Sequence, residues 1–269
     1  MKPPANPRRA FFPGSQFKLE PRERMRSFLA RHLTTLGQQF TGLQGLIPEL
    51  GPDDRELLAA ARGLSMTSPI ARWEFIQAIR HVEANGIAGD IVECGVWRGG
   101  HLVIAGLLRQ RLGFDRQIWA FDTFAGMTAP SEADFKPGED LDVKRKYATL
   151  DRGDRNEWCL ASEEEVLRNF EARVGNRDLK TIKGPVEETL AKPENLPERI
   201  AILRLDTDFY ESTKAELNIL YPRLSPGGVM IVDDYGEWAG ARKAVDEYFA
   251  GQPIWLHYVT QSVRLMIKP

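Results

Sequence analysis

Two apolar runs of the chain, Ile200-Ala-Ile-Leu-Arg-Leu-Asp206 and Gly228-Val-Met-Ile-Val-Asp-Asp234, end in acidic residues. Short runs of this kind are typical of the central strands of a parallel sheet, which are buried on both faces. Because ligands bind at the carboxyl ends of such strands, we expect Asp206, Asp233 and Asp234 to converge there. Converging carboxylates repel one another unless a cation or a proton intervenes, and oxygen ligands suit Mg²⁺ or another hard divalent ion. The two runs therefore predict a metal-assisted enzyme.

The bulk properties of the chain are those of a globular protein. Its 269 residues suffice for one large α/β domain with additions, or for two small domains, and 42% of them are hydrophobic. The net charge of -2 gives no basis for nucleic-acid binding. Cys94 and Cys159 lack zinc-site spacing and fit a reduced, cytoplasmic protein. Apolar runs stay shorter than ~18 residues, so we expect neither a membrane span nor, from the first residues, a signal peptide.

From Asp90 onward, strand patterns alternate with helix patterns. Apolar residues at helical spacing predict helices such as 70–83 and 101–112. Strands are predicted at 90–94, 117–122, 179–183, 200–206 and 228–233, followed by a hairpin of 254–259 and 263–267. This alternation predicts an α/β fold with a doubly wound, mostly parallel seven-stranded sheet, preceded by an N-terminal helical extension.

Two segments stand outside the alternation. Residues 1–30 are rich in Lys, Arg and Pro, which indicates a solvated terminus or an arm that covers a site or another subunit. Residues 123–161 lack a periodic pattern and contain Pro130, Pro137 and Gly138. Since this long connection follows the carboxyl end of a strand, we interpret it as a substrate-covering segment, with a decorative insertion as the alternative.

The turn Glu93-Cys-Gly-Val-Trp-Arg-Gly-Gly100 follows the first predicted strand, and its glycines let the backbone approach a ligand. Its spacing is not G-x-G-x-x-G, which disfavours a dinucleotide-dependent oxidoreductase. Asp122 ends the next strand, where an acid can accept hydrogen bonds from ribose hydroxyls. The alternatives are a turn without a ligand, and an Asp122 that caps the turn Thr123–Gly126. Together the two strand ends favour an adenosine-type ligand.

Other polar residues give weaker signals. Asp208 and Glu211 could support the three predicted metal ligands or cap a helix, and Asp233 and Asp234 could themselves be turn and cap residues. The capping box from Ser162 to Glu165 predicts a helix start. A Ser-His-Asp hydrolase is disfavoured, because the sequence has no G-x-S-x-G elbow.

An ordered set of motifs resembles the macrocin O-methyltransferase (TylF-type) family over about residues 60–250. The motifs are Met66-Thr67-Ser68, Asp90–Gly100, Phe121–Gly126, Lys183–Leu190, Leu205–Thr213 and Gly227–Gly236. The resemblance implies a class I S-adenosylmethionine-dependent fold, Mg²⁺ as the usual metal, and a homo-oligomer. It also implies methyl transfer to a hydroxyl, commonly on a sugar of a glycosylated natural product. His101 stands where the family often has a small residue.

The resemblance also implies roles for individual residues. Residues 1–65 would form an N-terminal arm and helical lid, and residues 66–269 the methyltransferase domain. Asp206, Asp233 and Asp234 match the metal ligands, and Asp206 also matches the proposed general base. The methionine part of the cofactor would contact Met66, Thr67, Glu93, Cys94, Gly95, Val96 and Trp97. Asp122 would hold the ribose beside Thr123, Phe124 and Gly126, and the adenosine would be bordered by Ser162, Glu188 and Thr189.

The chemistry of methyl transfer agrees with this interpretation. A sugar hydroxyl is a poor nucleophile near neutral pH, and a divalent cation lowers its pKa while a carboxylate takes its proton. The same logic serves a phenol or catechol acceptor, which is one alternative. A cofactor-binding protein without catalysis is another.

Overall fold

The structure, a computed structural model, describes residues 47–269. Its seven-stranded sheet has the order β3-β2-β1-β4-β5-β7-β6, parallel from β3 to β5, while β7 is antiparallel to both of its neighbours. The strands are β1 Asp90–Cys94, β2 Ile118–Asp122, β3 Lys180–Lys183, β4 Ile200–Leu205, β5 Leu224–Val232, β6 His257–Tyr258 and β7 Arg264–Ile267. The predicted doubly wound, mostly parallel sheet is therefore confirmed, as is the closing antiparallel pair.

Helices cover both faces of the sheet. They are α1 Pro52–Ala60, α2 Pro69–Ala84, α3 Gly100–Leu112, α4 Val143–Leu150, α5 Glu163–Val174, α6 Val186–Thr189, α7 Tyr210–Ile219 and α8 Ala239–Tyr248. Neighbouring strand residues enter opposite layers: Ile91 packs in the hydrophobic cluster that contains α2 and α3, and Val92 in the cluster that contains α7 and α8. The central strands are thus buried on both faces, which explains their continuous apolar runs.

The long connection after β2 differs from expectation. The structure places helix α4 within residues 123–161, where the sequence pattern is too weak to predict a helix. Val143 is buried, and Tyr147 and Leu150, at helical spacing from it, are partly buried against the same cluster, so α4 has a short apolar stripe while Lys144 and Arg145 are exposed. Val143 packs with Trp158, Phe209, Trp238 and Ala241 in a third hydrophobic cluster. The connection is therefore a packed segment rather than an irregular loop.

The N-terminal region is described from Ile47 onward, so the basic arm predicted for residues 1–30 lies outside the described residues. Helix α1 packs against α3, and Leu57 and Leu64 join the same hydrophobic cluster as Ile104. Within residues 47–269, the helices are too short or too polar to cross a lipid bilayer.

Candidate active site

The acidic residues after β4 and β5 lie at the carboxyl ends of the parallel strands. They are beside the point between β1 and β4 where the order of the strands along the chain reverses. The ladder continues past the strand ends, since Asp206 N donates to Cys94 O and Asp233 N donates to Leu205 O, both at 2.9 Å. One carboxylate oxygen each from Asp206, Asp208 and Asp234 lies within 4.8 Å of the others. The structure thus brings two of the three predicted metal ligands together, with Asp208 as the third member of an acidic trio.

Asp233, the remaining predicted ligand, contacts a buried arginine. Arg204 is 1% exposed and donates from Nη2 to Asp233 Oδ1 at 2.6 Å. Its Nη1 donates to Asp206 Oδ2 at 2.6 Å and to Glu93 Oε1 at 2.7 Å. Burial by itself lowers the pKa of Arg204, but the carboxylates of Asp206, Asp233 and Glu93 raise it above its ordinary value. Arg204 is therefore a permanent cation beneath the acidic trio.

The acidic trio brings carboxylates of like charge close together. Burial raises the pKa of Asp206 and Asp234 well above the usual range, and neighbouring carboxylates act in the same direction. Burial also raises the pKa of Asp208, to about 6. Asp234 Oδ2 is buried and has no hydrogen-bond partner among the described residues. Three ionised carboxylates in this position repel one another, and a bound proton or cation relieves the repulsion.

A cavity of about 680 Å³, partly open to solvent, adjoins the trio. The strand ends and the connection after β2 line it together: Met66, Gly95, Trp97, Asp122, Thr123, Gly126, Met127, Thr128, Cys159, Gly184, Pro185, Val186, Glu187, Asp206, Thr207, Asp208 and Ser212. Segment 123–161 therefore contributes to the wall, in agreement with its interpretation as a covering segment.

Asp122 caps a turn and also lies in the cavity wall. Its Oδ2 accepts hydrogen bonds from the backbone N of Val96 and of Trp97, at 2.8 and 3.2 Å, and its Oδ1 accepts from Phe124 N at 2.8 Å. Asp122 thus caps the following turn, as in the alternative interpretation, and also lines the cavity. Thr123 Oγ1 donates to Gly126 O at 2.6 Å, so Asp122 Oδ1 keeps a lone pair for another donor.

Several other predicted cofactor residues do not line the cavity as the described residues define it. The Glu93 side chain faces Arg204, and Cys94 is buried beside Glu216. Ser162 caps α5 by accepting from Glu165 N at 3.2 Å, which confirms the predicted helix start, whereas the Glu165 carboxylate binds Arg98. The remaining residues of this group are Thr67, Val96, Phe124, Glu188 and Thr189.

The sequence pattern did not identify Glu187, Cys159 and Arg204 as residues of the site, and it indicated only a supporting role for Asp208. Arg204 had a visible signal, a charged residue inside an otherwise apolar buried run. Glu187, rather than the neighbouring Glu188, lines the cavity, because helix α6 turns successive residues to different sides. Cys159 and Asp208 adopt positive φ angles of 52° and 68°. Such strained conformations cluster at functional sites, but a sequence pattern does not show them.

The doubly wound sheet, the cavity at its switch point and the adjoining acids define a class I methyltransferase fold. The profile of the macrocin-O-methyltransferase (TylF) family matches residues 53–257, and the chain belongs to this family. The predicted family resemblance is thereby confirmed.

Relatives and solved structures agree with this assignment. The chain is 39% identical over 184 residues to demethyldecarbamoylnovobiocin O-methyltransferase of Streptomyces niveus, covering 67% of this chain and 66% of that protein. It is 36% identical to mycinamicin III 3''-O-methyltransferase of Micromonospora griseorubida, covering 61% of each. The matches thus span slightly less than two thirds of these relatives. The structure of the O-methyltransferase NovP aligns with a TM-score of 0.65 at 30% identity, covering 79% of this chain and 87% of that one.

Proposed function

We propose that the protein is an S-adenosylmethionine-dependent O-methyltransferase that transfers a methyl group to a sugar hydroxyl of a natural product, with the help of a divalent cation such as Mg²⁺. The observation that carries this proposal is the acidic trio of Asp206, Asp208 and Asp234 beside the cavity at the strand ends. The acceptor class is inferred from relatives whose names specify novobiocin, tetracenomycin and mycinamicin derivatives.

The residues present fit a hard divalent cation. The trio offers carboxylate oxygens alone, and Asp234 Oδ2 is buried without a hydrogen-bond partner in the described chain. We assign Asp206 and Asp234 as ligands and Asp208 and Asp233 as the other candidates, since one oxygen of Asp208 lies within 4.8 Å of the pair and Asp233 follows the same strand end as Asp234. A bound divalent cation would lower the pKa of the acceptor hydroxyl.

The cavity would hold the methyl donor. Met66, Gly95 and Trp97 would contact the methionine part, and Asp122 Oδ1 would accept a hydrogen bond from the ribose. Thr123 and Gly126 line the same wall. Of the other residues proposed from the family, Thr67, Glu93, Cys94, Val96, Phe124, Ser162, Glu188 and Thr189 would act through the backbone or by supporting the wall.

The carboxylates would receive the acceptor proton as the methyl group leaves the sulfonium. Asp206 is the proposed general base, and Asp208, with its pKa raised to about 6, is a second carboxylate suited to accept a proton near neutral pH. Holding donor and acceptor in line for displacement would supply much of the rate acceleration. The family assignment favours this reaction over dinucleotide-dependent oxidation.

A product screen tests the proposed reaction. The protein is incubated with S-adenosylmethionine, Mg²⁺ and either glycosylated natural products or catechols, and methylated products are detected by mass spectrometry. We expect products from glycosides, loss of turnover with EDTA and recovery on addition of Mg²⁺. Products from catechols alone would overturn the acceptor class. Cofactor binding without any product would favour a non-catalytic role.

An Asp234→Asn variant tests the cation site separately. We expect it to lose turnover while its affinity for S-adenosylhomocysteine in calorimetry stays within about threefold of the parent, because Asp234 is outside the cavity wall. Full turnover of this variant would contradict the cation assignment.

The remaining proposals concern the assembly and the arm. We infer a cytoplasmic homo-oligomer in which residues 1–65 form an arm and lid for the transferase domain, 66–269. The free thiols of Cys94 and Cys159 support a reducing compartment. Light scattering of the purified protein tests the oligomeric state.

A further inference from the structure

Arg204 is a buried cation that contacts three carboxylates, which lie on or directly after three neighbouring strands. It lies on β4, and its partners are Glu93 on β1, Asp206 after β4 and Asp233 after β5, at 2.6 to 2.7 Å. The side chains of Arg204 and Glu93 are 1% and 2% exposed. A planar fork with several N–H donors can hold several carboxylates at fixed angles, whereas an ammonium group is a point charge.

Glu93, one of the three carboxylates that Arg204 contacts, is itself held in place by a histidine. His101 Nδ1 lies 3.2 Å from Glu93 Oε1, and the His101 ring packs edge-to-face on Phe75 with centroids 5.1 Å apart. Burial lowers the pKa of His101, so its neutral ring can donate one N–H to Glu93. Glu93 is therefore held from α2 and α3, and it holds Arg204 in turn. This chain of contacts lies beneath the cavity and takes no part in lining it.

Two physical effects oppose each other at this arginine. A fixed positive charge repels a divalent cation, which would weaken binding if charge alone decided the outcome. Against this, Arg204 binds Oδ2 of Asp206 and Oδ1 of Asp233, which fixes one oxygen of each carboxylate, so ordering of the ligands need not accompany cation binding. Groups that orient metal ligands in this way change metal affinity by about 10- to 100-fold when they are replaced.

We propose that Arg204 is a positioning residue of the cation site, which orients Asp206 and Asp233 from beneath the trio through Asp206 Oδ2 and Asp233 Oδ1. The inference rests on the proposed function, because it takes the acids as cation ligands. It assigns a role to a residue that touches neither the cavity nor the acidic atoms left free for the cation, and it makes Glu93 a part of the same support.

The test compares Arg204→Lys with Arg116→Lys, a matched control. Arg116 is also largely buried and is paired with a carboxylate, that of Glu83. Both residues are far from the acidic trio in the sequence. Mn²⁺ affinity is measured by electron paramagnetic resonance, and S-adenosylhomocysteine affinity by calorimetry. We expect Mn²⁺ affinity to fall at least about tenfold in R204K and less than about twofold in R116K, with cofactor affinity within about threefold in both.

The outcomes separate the two proposals. Wild-type affinity for Mn²⁺ in R204K overturns the positioning role and leaves the proposed cation site standing. Tighter binding in R204K also overturns it, because the guanidinium would then compete with the cation. Failure of the wild-type protein to bind Mn²⁺ overturns both proposals.

A measurement on the wild-type protein does not depend on the variant's folding. Arginine side-chain NMR identifies the guanidinium that Mn²⁺ broadens, and Mg²⁺ is then used as the diamagnetic probe. We expect slowly rotating, separate Nη signals with and without Mg²⁺, because the fork stays bound to both carboxylates. A single averaged Nη signal in the Mg²⁺ form would overturn the proposal.

Discussion

Asp134 Oδ1 accepts a hydrogen bond from the backbone N of Tyr210 at 2.7 Å, which ties the long connection after β2 to the first turn of α7. The other oxygen accepts from Ser131 N and Oγ, both at 2.7 Å, and the residue is 5% exposed. Since α7 begins directly after Asp206–Asp208, this carboxylate holds the covering segment beside the cavity.

We expect Asp134→Ala to loosen that segment, because three donors lose a buried acceptor. The loss of stability should be about 1–3 kcal/mol, with faster proteolysis within residues 123–161 and weaker binding of S-adenosylhomocysteine. Limited proteolysis and calorimetry measure the two effects. Glu132→Ala serves as the control, because that side chain is 92% exposed. Equal cleavage rates for the two variants would contradict the expected role.

Gly95 provides a second test, of the close approach between β1 and β4. A Cβ on Gly95 would stand 1.9 Å from Asp206 O, and its φ is 79°. Gly153 has a φ of 88° but has nothing within 4 Å of such a Cβ. Replacement by Ala strains the backbone by roughly 1–2 kcal/mol at both sites.

We therefore expect Gly95→Ala to cost about 1–3 kcal/mol more than Gly153→Ala in urea unfolding, because the backbone at Asp206 must move. The same displacement should weaken cation and cofactor binding in G95A and leave both unchanged in G153A. Equal destabilisation with unchanged binding would show that backbone strain alone matters at Gly95.

The acidic trio predicts a pH dependence of stability. The pKa of Asp208 is raised to about 6 and those of Asp206 and Asp234 are raised further above their usual range, so the folded state binds more protons than the unfolded state. In EDTA, the free energy of unfolding should therefore fall as the pH rises from about 4 through 6, by an amount on the order of 2 kcal/mol. Mg²⁺ should flatten this decline, because it stabilises the ionised carboxylates.

Urea unfolding at several pH values, with EDTA or Mg²⁺, measures this dependence. Glu216 and Asp122 also have a raised pKa, so their titration contributes a background. Asp208→Asn removes one member of the trio and should reduce the decline in EDTA. An equal decline in both proteins would exclude Asp208 as a source of the pH dependence.

Cys159 should be chemically inert although it lines the cavity. Burial, together with the carboxylates of Asp208 and Asp206, raises the pKa of its thiol to about 12. Because the thiolate is the reactive form, we expect alkylation by iodoacetamide at pH 8 to be at least ~100-fold slower than for a free cysteine. Peptide mass spectrometry separates Cys159 from Cys94, and the urea-unfolded protein is the control. Rapid alkylation of folded Cys159 would contradict the raised pKa.

The fold was predictable because continuous apolar runs reveal strands that are buried on both faces. Helix α4 was not predicted, because its apolar stripe of Val143, Tyr147 and Leu150 spans only about two turns in a segment otherwise rich in charged residues and prolines. The family resemblance located the cavity through residues such as Gly95 and Asp122. It also named Glu188, which helix α6 turns away from the cavity in favour of Glu187.

The sequence by itself determined that acids follow the buried strands β4 and β5, since the apolar runs end at Asp206 and Asp233. The tertiary structure decided which of these acids meet. Arg204 occupies one oxygen of Asp233, while a positive φ places Asp208 beside Asp206 and Asp234. Backbone strain and the reach of a buried guanidinium are properties of the packed sheet, and neither follows from the spacing of residues along the chain.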